Sequence, residues 1–396
     1  MTTATTATTY TYATLNNIAQ CGLDKLPANF AYTEDASAAD LILVRSAKMH
    51  DMELQPNLRA IGRAGAGVNN IPVEKCSEQG IVVFNAPGAN ANGVKEICIA
   101  ALMLASRDII GGANWVAENK DNPDIAKVVE KEKKRFAGTE IKGKTLGVIG
   151  LGAIGALVAN AAIDLGMTVY GYDPYLSVAA AWRVSNDVKY AATLEEIYEK
   201  SDYVTIHVPA LDSTKGMLNA DAFAQMKDGV KVLNFARDVL VDDDAMAEAL
   251  ESGKVGCYIF DFPNAKNVHM KNAIAIPHLG ASTEESEENC AMMVAEQMAD
   301  YINNGNIRNS VNFPNCDMGA VTTESRIVIL HKNIPNMLGH ITSLLGEANV
   351  NIANLTNKSR GNWAYTMVDA DIYIPDSVID ALKSDENIAR VRIIHN

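Results

Sequence analysis

The run Gly150-Leu151-Gly152-Ala153-Ile154-Gly155 constrains this chain more than any other, because of what flanks it. Residues 144–149 are largely apolar and β-branched, as a buried parallel strand should be. Residues 153–165 are helix formers. Residues 168–172 read as a second strand, which ends at Asp173, 18 positions past Gly155. The glycine spacing alone is weak evidence. Strand, glycine turn, helix, strand and terminal acid in that order describe a dinucleotide-binding unit. Gly150, Gly152 and Gly155 permit a tight turn and let backbone N–H groups approach a pyrophosphate at the positive end of a helix. Asp173 can accept hydrogen bonds from the two ribose hydroxyls of NAD and would repel the 2′-phosphate of NADP. The cofactor expected is therefore NAD. An ordinary βα turn, or a methyltransferase site, shares the glycine spacing but not the whole arrangement.

Length and charge set the bounds. A chain of 396 residues suggests two or three domains, and 48% apolar residues suffice for their cores. The net charge of −14 argues against nucleic acid or an anionic membrane as partner. Six cysteines without CxxC spacing suit a reducing compartment. No stretch reaches the 18 apolar residues of a membrane span. The first nine residues are Thr-rich, lack the basic start and apolar run of a signal peptide, and read as a frayed tail. A cytoplasmic protein is expected.

Short apolar runs at 41–44, 60–62 and 81–84 read as buried strands of an N-terminal α/β part. A long helix is expected over 92–110, ending at Gly111-Gly112, followed by a charged, solvated segment to residue 135. A second βα series has strands at 145–149, 168–172, 203–207, 230–235, 255–261 and 273–276, with a capping box at Thr193–Glu196. A helix at 284–303 leaves it. After an aperiodic break at 315–323, strands and helices alternate as βαββαβ within about 70 residues, the order of a ferredoxin-like module.

Two residues stand at strand ends with chemistry suited to a hydroxy acid. Arg237 follows the 230–235 strand, and its planar fork can clamp a carboxylate. His278 follows the 273–276 strand and can move a proton in either direction near neutrality. Each alone could equally be a loop ion pair or a structural histidine.

Taken together, Gly150–Gly155, Tyr172-Asp173-Pro174, His207-Val208-Pro209, Asn234-Phe235-Ala236-Arg237 and the 277–283 run Pro-His-Leu-Gly-Ala-Ser-Thr resemble the D-2-hydroxyacid dehydrogenase family. The 63–69 run Arg-Ala-Gly-Ala-Gly-Val-Asn and the 84–87 run Phe-Asn-Ala-Pro extend the match, and the terminal module resembles the ACT regulatory domain. The resemblance implies an α/β protein with a Rossmann-type NAD-binding domain at 92–282. It also implies a flavodoxin-like substrate-binding domain at 1–91 and 283–314, and a ferredoxin-like ACT module at 325–396. It implies that Arg237 binds substrate and that His278 is the general acid/base. Ala153 and Ile154 would offer N–H groups to the pyrophosphate, with His207, Pro209, Phe235, Ala236, Asp261 and Gly280 around the cofactor. Arg45 and Arg63 would hold a substrate phosphate, assisted by Lys48 and flanked by Ala64 and Gly65. His331, Asn333 and Asn351 match positions that hold L-serine. The expected reaction is NAD-linked oxidation of D-3-phosphoglycerate, the first step of phosphorylated serine synthesis, in a homodimer or homotetramer.

Three departures qualify that expectation. The family places a glutamate after the Asp261 strand, hydrogen-bonded to the histidine, but residues 262–283 contain no acid. Loss of that counter-charge lowers a histidine pKa, and Asp261 or Glu284 could stand in. Asp238 occupies a common glycine position beside the arginine, and Asn336 occupies another in the terminal module. A reductase of another 2-keto acid, such as hydroxypyruvate or glyoxylate, and a non-catalytic NAD sensor remain alternatives. Arg237 and His278 weigh against the sensor, because neither is needed merely to bind NAD.

Overall fold

The computed structural model describes residues 9–396; the expected frayed start lies almost wholly outside them. The chain forms two compact units, Ala91–Thr283 on its own and Met1–Asn90 together with Glu284–Asn396.

In the smaller-numbered unit a parallel sheet comprises β1 (Tyr10–Thr14), β2 (Phe30–Tyr32), β3 (Leu41–Val44), β4 (Ala60–Arg63) and β5 (Val82–Phe84), in the order β2-β1-β3-β4-β5. That is the flavodoxin-like order. Strands β3 and β5 are buried along their whole length, which is why they read as unbroken apolar runs.

The Ala91–Thr283 unit is the nucleotide-binding fold. Its strands are β6 (Thr145–Ile149), β7 (Thr168–Tyr172), β8 (Lys189–Tyr190), β9 (Tyr203–Ile206), β10 (Val230–Asn234), β11 (Val255–Phe260) and β12 (Ala273–Ala275). All pair in parallel in the order β12-β11-β10-β9-β6-β7-β8. The strand order reverses between β6 and β9, and separate apolar clusters cover the sheet. The helix expected to end at Gly111-Gly112 instead ends earlier, as Ala91–Ser106, and a second helix, Ile109–Glu118, runs through both glycines. Asp108 explains the restart: its carboxylate accepts the Gly111 N–H at 2.9 Å as an N-cap, and a β-carbon on Gly111 would clash with it. This helix and the next, Ile125–Glu132, bury none of their residues.

The ferredoxin-like order is present at the C-terminus. Strands β13 (Ser325–Lys332), β14 (Ile352–Arg360), β15 (Trp363–Ala370) and β16 (Ile388–His395) form an antiparallel sheet, β14-β15-β13-β16. One face carries the helices Met337–Glu347 and Asp376–Lys383 over Ile327, Ile329 and Val368. The other face has no helix of its own. Val328, Leu330, Tyr365 and Met367 enter the same core as Phe84, Tyr301 and the long helix Glu284–Asn304.

Buried polar bonds fix this docking. Arg326, only 1% exposed, pairs with Asp369 (Nε–Oδ1 2.6 Å, Nη2–Oδ2 2.9 Å) and donates from Nη1 to Asn304 O and Gly319 O, each at 2.8 Å. Arg392 donates to Ile302 O at 2.8 Å and Tyr301 O at 3.3 Å, and the Tyr365 hydroxyl to Gly305 O at 2.6 Å. The aperiodic 315–323 segment is tied down as well, because Asn306 accepts from Met318 N and donates to Gly319 O. Its order comes from side chains outside the segment, which periodicity cannot register.

Arg326→Ala strands the Asp369 carboxylate and the carbonyls of Asn304, Gly319 and Met318, the last accepting from Nη2 at 3.4 Å. A loss of about 3–5 kcal/mol is expected, read as an earlier urea transition. Asp369→Ala should cost as much, and the double variant less than the sum.

Candidate functional site

The nucleotide cradle lies where the strand order reverses. His207 N donates to Ile149 O at 2.8 Å, drawing the end of β9 against the glycine turn. Gly150 has φ +90°, and a β-carbon there would fall 2.6 Å from His207 O. A β-carbon on Gly155 would run into Gly150 O, so both glycines are required by packing alone. Gly152 differs: a β-carbon there meets nothing within 4 Å. The helix Ala153–Asp164 starts beyond it with no side-chain cap, which leaves the Ala153 and Ile154 N–H groups for an anion. Asp173 at the end of β7 is fixed by N–H groups of Leu151 and Tyr175, both at 2.9 Å. One lone pair on each carboxylate oxygen is left for a ribose. An uncapped helix, an open glycine and a fixed acid fit NAD.

His207 presents its backbone to this turn, while its ring packs inward. Nε2 meets Thr205 Oγ1 at 3.0 Å and Nδ1 is buried without a partner, so burial pushes its pKa down to about 4. Phe235 is buried beneath the turn that follows β10, Ala236 is half-buried and Pro209 is exposed.

Arg237 and His278 follow the carboxyl ends of β10 and β12, which flank β11 in this unit. Buried Asn234 shapes the first turn, accepting from Ala236 N at 3.1 Å and donating to Arg237 O at 2.7 Å. Asp261 shapes the second: its carboxylate accepts from Leu279 N at 2.6 Å and Gly280 N at 2.8 Å. Burial raises the Asp261 carboxyl pKa, and these N–H groups and His278 oppose the rise. Asp261 therefore holds the loop through its backbone. Among the described residues nothing hydrogen-bonds the His278 imidazole; its ring packs on Phe262, centroids 4.6 Å apart. The Arg237 guanidinium lies over the same Phe262 ring, 5.3 Å from its centroid. The two candidate catalytic side chains thus share one aromatic neighbour, in the stretch where the sequence lacks the glutamate that the resemblance implies. His278 holds φ +52°, a strained conformation of the kind that collects at functional sites. Asp238 opens a short 3-10 turn and pairs with no cation among the described residues.

The phosphate candidates belong to the other unit. Register pairs Val44 with Arg63, setting Arg45 and Arg63 at adjacent carboxyl ends of β3 and β4. One oxygen of Asn16 accepts the N–H groups of Arg45, Ser46 and Ala47 at 2.9–3.0 Å. Arg63 Nε donates to Arg45 O at 3.1 Å, and a β-carbon on Gly65 would overlap the Arg63 guanidinium. Ala64 is buried and bonded to Val44 O, and Lys48 is exposed. Arg45 pairs with Glu287 of the long helix at 2.5 Å, both partly exposed. Asn16, Phe262 and Glu287 were invisible as site residues in the sequence, since only the fold brings them to these places.

In the terminal module His331 is buried, with Nδ1 on Lys332 O at 2.8 Å and Nε2 on Thr366 Oγ1 at 2.9 Å. Asn333 donates to Gly361 O at 3.0 Å, and Asn351 is exposed. Asn336 caps the following helix at φ +67°, a conformation that asparagine tolerates in place of glycine.

Residues 99–280 match the family model for the D-isomer specific 2-hydroxyacid dehydrogenase NAD-binding domain. The D-3-phosphoglycerate dehydrogenase of Haemophilus influenzae is 32% identical over 355 residues, 87% of this chain and 83% of that protein. The chain belongs to this family. It is an NAD-dependent dehydrogenase related to the D-3-phosphoglycerate dehydrogenases. The Archaeoglobus fulgidus member is 38% identical over 288 residues, although the chain spans only 52% of that longer protein. Among solved structures, the NAD+-bound 3-phosphoglycerate dehydrogenase of Entamoeba histolytica aligns with a TM-score of 0.60 and 25% identity, over 77% of this chain and 99% of that one. D-2-hydroxyisocaproate dehydrogenase, at 20% identity and TM-score 0.63, shares the fold.

Gly152→Ala should leave the melting temperature unchanged yet weaken NADH binding at least about tenfold, as measured by fluorescence titration. Gly155→Ala should lower both. The buried His207 ring also makes stability pH-dependent. Its native pKa lies below the unfolded value of 6.5, so protons bind the unfolded state first as pH falls. Stability of up to about 3 kcal/mol is lost between roughly pH 6.5 and 4. Urea unfolding at pH 7.5 and 5 should show that fall, and His207→Gln should flatten it.

Proposed function

We propose that this chain oxidises D-3-phosphoglycerate to 3-phosphohydroxypyruvate, the entry reaction of phosphorylated serine synthesis. The observation that carries the chemistry is the shared Phe262 contact, which sets a carboxylate clamp and a proton acceptor against one ring beyond the ends of β10 and β12. Arg237 binds the substrate carboxylate with its fork and draws electron density from the adjacent oxygen. His278 accepts the proton of the C2 hydroxyl as the carbonyl forms, and returns one in the reverse direction. Bound NAD would supply the hydride acceptor for C2. Gly152, Ala153, Ile154 and Asp173 hold the rest of the cofactor. Arg45 and Arg63, with Lys48, bind the substrate phosphate, and the pairing of Arg45 with Glu287 keeps that cation oriented between turnovers.

In this reading residues 1–91 with 283–314 form the substrate-binding domain, residues 92–282 the NAD-binding domain, and residues 325–396 an ACT-type regulatory module. An amino-acid effector such as L-serine would meet Asn333 and Asn351, while His331, whose nitrogens are engaged within the sheet, orders that edge. A homodimer or homotetramer is supported by the helices Ile109–Glu118 and Ile125–Glu132, which leave Ile109, Ile110 and Val116 exposed. No described helix is long and apolar enough to cross a membrane, and the six cysteines are unpaired, which supports a cytoplasmic enzyme.

The test is NADH oxidation with 3-phosphohydroxypyruvate from pH 6 to 9, beside hydroxypyruvate and glyoxylate. The phosphorylated acid should be preferred. Arg45→Ala should raise its KM about tenfold and leave hydroxypyruvate turnover unaltered. His278→Ala should cut kcat about 10²–10⁴-fold while NADH still binds. A preference for hydroxypyruvate would make the protein a keto-acid reductase, and NADH binding without turnover of any acid would make it a sensor.

A further inference from the structure

A second basic centre lies outside the machinery described above. A cavity of about 530 Å³ opens between β16 of the terminal sheet and the loops that precede β4 and follow the Val73–Glu78 helix. Arg59, Lys383, Arg390 and Arg392 line it, with Leu54 and Val391 among the apolar walls and no acid in the lining. Four cations in one cavity are unusual for a chain of net charge −14.

Local partners do not account for this charge. Asp40 neutralises Arg59 through Nε at 2.9 Å. Among the described residues no carboxylate pairs with Lys383, Arg390 or Arg392. Arg390 spends Nη2 on Pro56 O and Gln79 O, at 3.2 and 3.1 Å, and has no described partner for Nε or Nη1. Arg392, 5% exposed, gives its two Nη groups to helix carbonyls, and its Nε is buried without an acceptor. Burial, with Arg59 and Arg392 close by, holds the Arg390 pKa below its ordinary value. Packing alone would favour apolar residues here, because unpaired buried charge is costly.

We propose that this cavity is a binding site for a small multivalent anion, either a di- or tricarboxylate or a phosphate. Its volume suits a metabolite-sized ligand. Arg59 keeps both Nη groups and Arg390 its Nε and Nη1 for carboxylate or phosphate oxygens, Lys383 adds an ammonium group, and Leu54 and Val391 cover a short carbon skeleton. Bound there, the anion joins β16 to the 54–59 loop and tightens the seat of the terminal module on the first sheet. The proposal does not depend on the assigned substrate.

Isothermal titration of the full-length protein with citrate, and separately with inorganic phosphate, tests it at pH 7.5 in chloride buffer of matched ionic strength. Saturable binding is expected, with a melting temperature that rises with ligand. Lys383→Gln, at an exposed position, and Arg59→Gln should each weaken binding about fivefold, while Arg45→Ala should leave it intact. Which of the two anions binds tells a carboxylate site from a phosphate site. Binding abolished by Arg45→Ala and retained in Lys383→Gln would assign the anion to the candidate substrate site and overturn the proposal. A melting shift equal to that given by chloride would overturn it too.

Discussion

The carbonyl end of the helix Glu284–Asn304 decides how its unit is built. Any α-helix ends with four carbonyls that lack intrahelical donors, and burying such an end without partners is costly. Here Arg392 serves Tyr301 O and Ile302 O, Arg326 serves Asn304 O, and Tyr365 serves Gly305 O. All three donors come from the terminal sheet. With those carbonyls satisfied, the apolar face of that sheet can close over the helix, and the two join in one core. The helix is 21 residues long, about 31 Å from end to end. Its first turns carry Glu287, the partner of Arg45. The terminal module and a candidate phosphate-binding arginine therefore contact opposite ends of one helix.

In the nucleotide-binding unit, carboxylates serve as backbone clamps more than as charged partners of the reacting groups. Asp173 is held by two N–H groups, and Asp261 spends both oxygens on the loop after β12. That use of Asp261 keeps His278 in its left-handed conformation, because Leu279 and Gly280 are pinned directly behind it. Phe262 then gives the imidazole a face to lie against and gives Arg237 a cation–π contact. Orientation is supplied by packing, where a glutamate would supply orientation and charge together.

Most strands of the three sheets were legible because burial on one or both faces leaves a plain apolar pattern, whereas the largely unburied β1, β2 and β8 leave none; Gly150 with its flanks carried the cofactor. Arg237 and His278 were legible as residues that follow such strands. What stayed hidden depended on contacts between distant segments. Asn16 looks like any loop asparagine until the 45–47 turn folds onto it, 29 positions away. Arg326 and Arg392 sit in apolar strands where charge reads as a surface position, yet both are buried by a helix whose sequence says nothing about its cap. The glycines at 111 and 112 read as a stop, because the rescue comes from a capping side chain just before them.

Strand β4 connects the two basic centres of the first unit. Arg63 stands at its carboxyl end beside Arg45, and Arg59 directly precedes its other end, in the wall of the anion cavity. Four residues of extended chain separate them by about 13 Å. That exceeds the Debye length of about 8–10 Å at physiological salt, so charge on one centre is largely screened from the other through solvent. Influence between them would have to pass through the strand and its packing. β4 is buried from Ala60 to Gly62, and a β-carbon on Gly62 would clash with Val294 and Met298 of the long helix. The same helix is gripped at its far end by Arg326 and Arg392, and Arg392 itself lines the anion cavity. An anion at Arg59 and Arg390, beside Arg392, therefore acts on the helix that positions Glu287 through the packed groups between them.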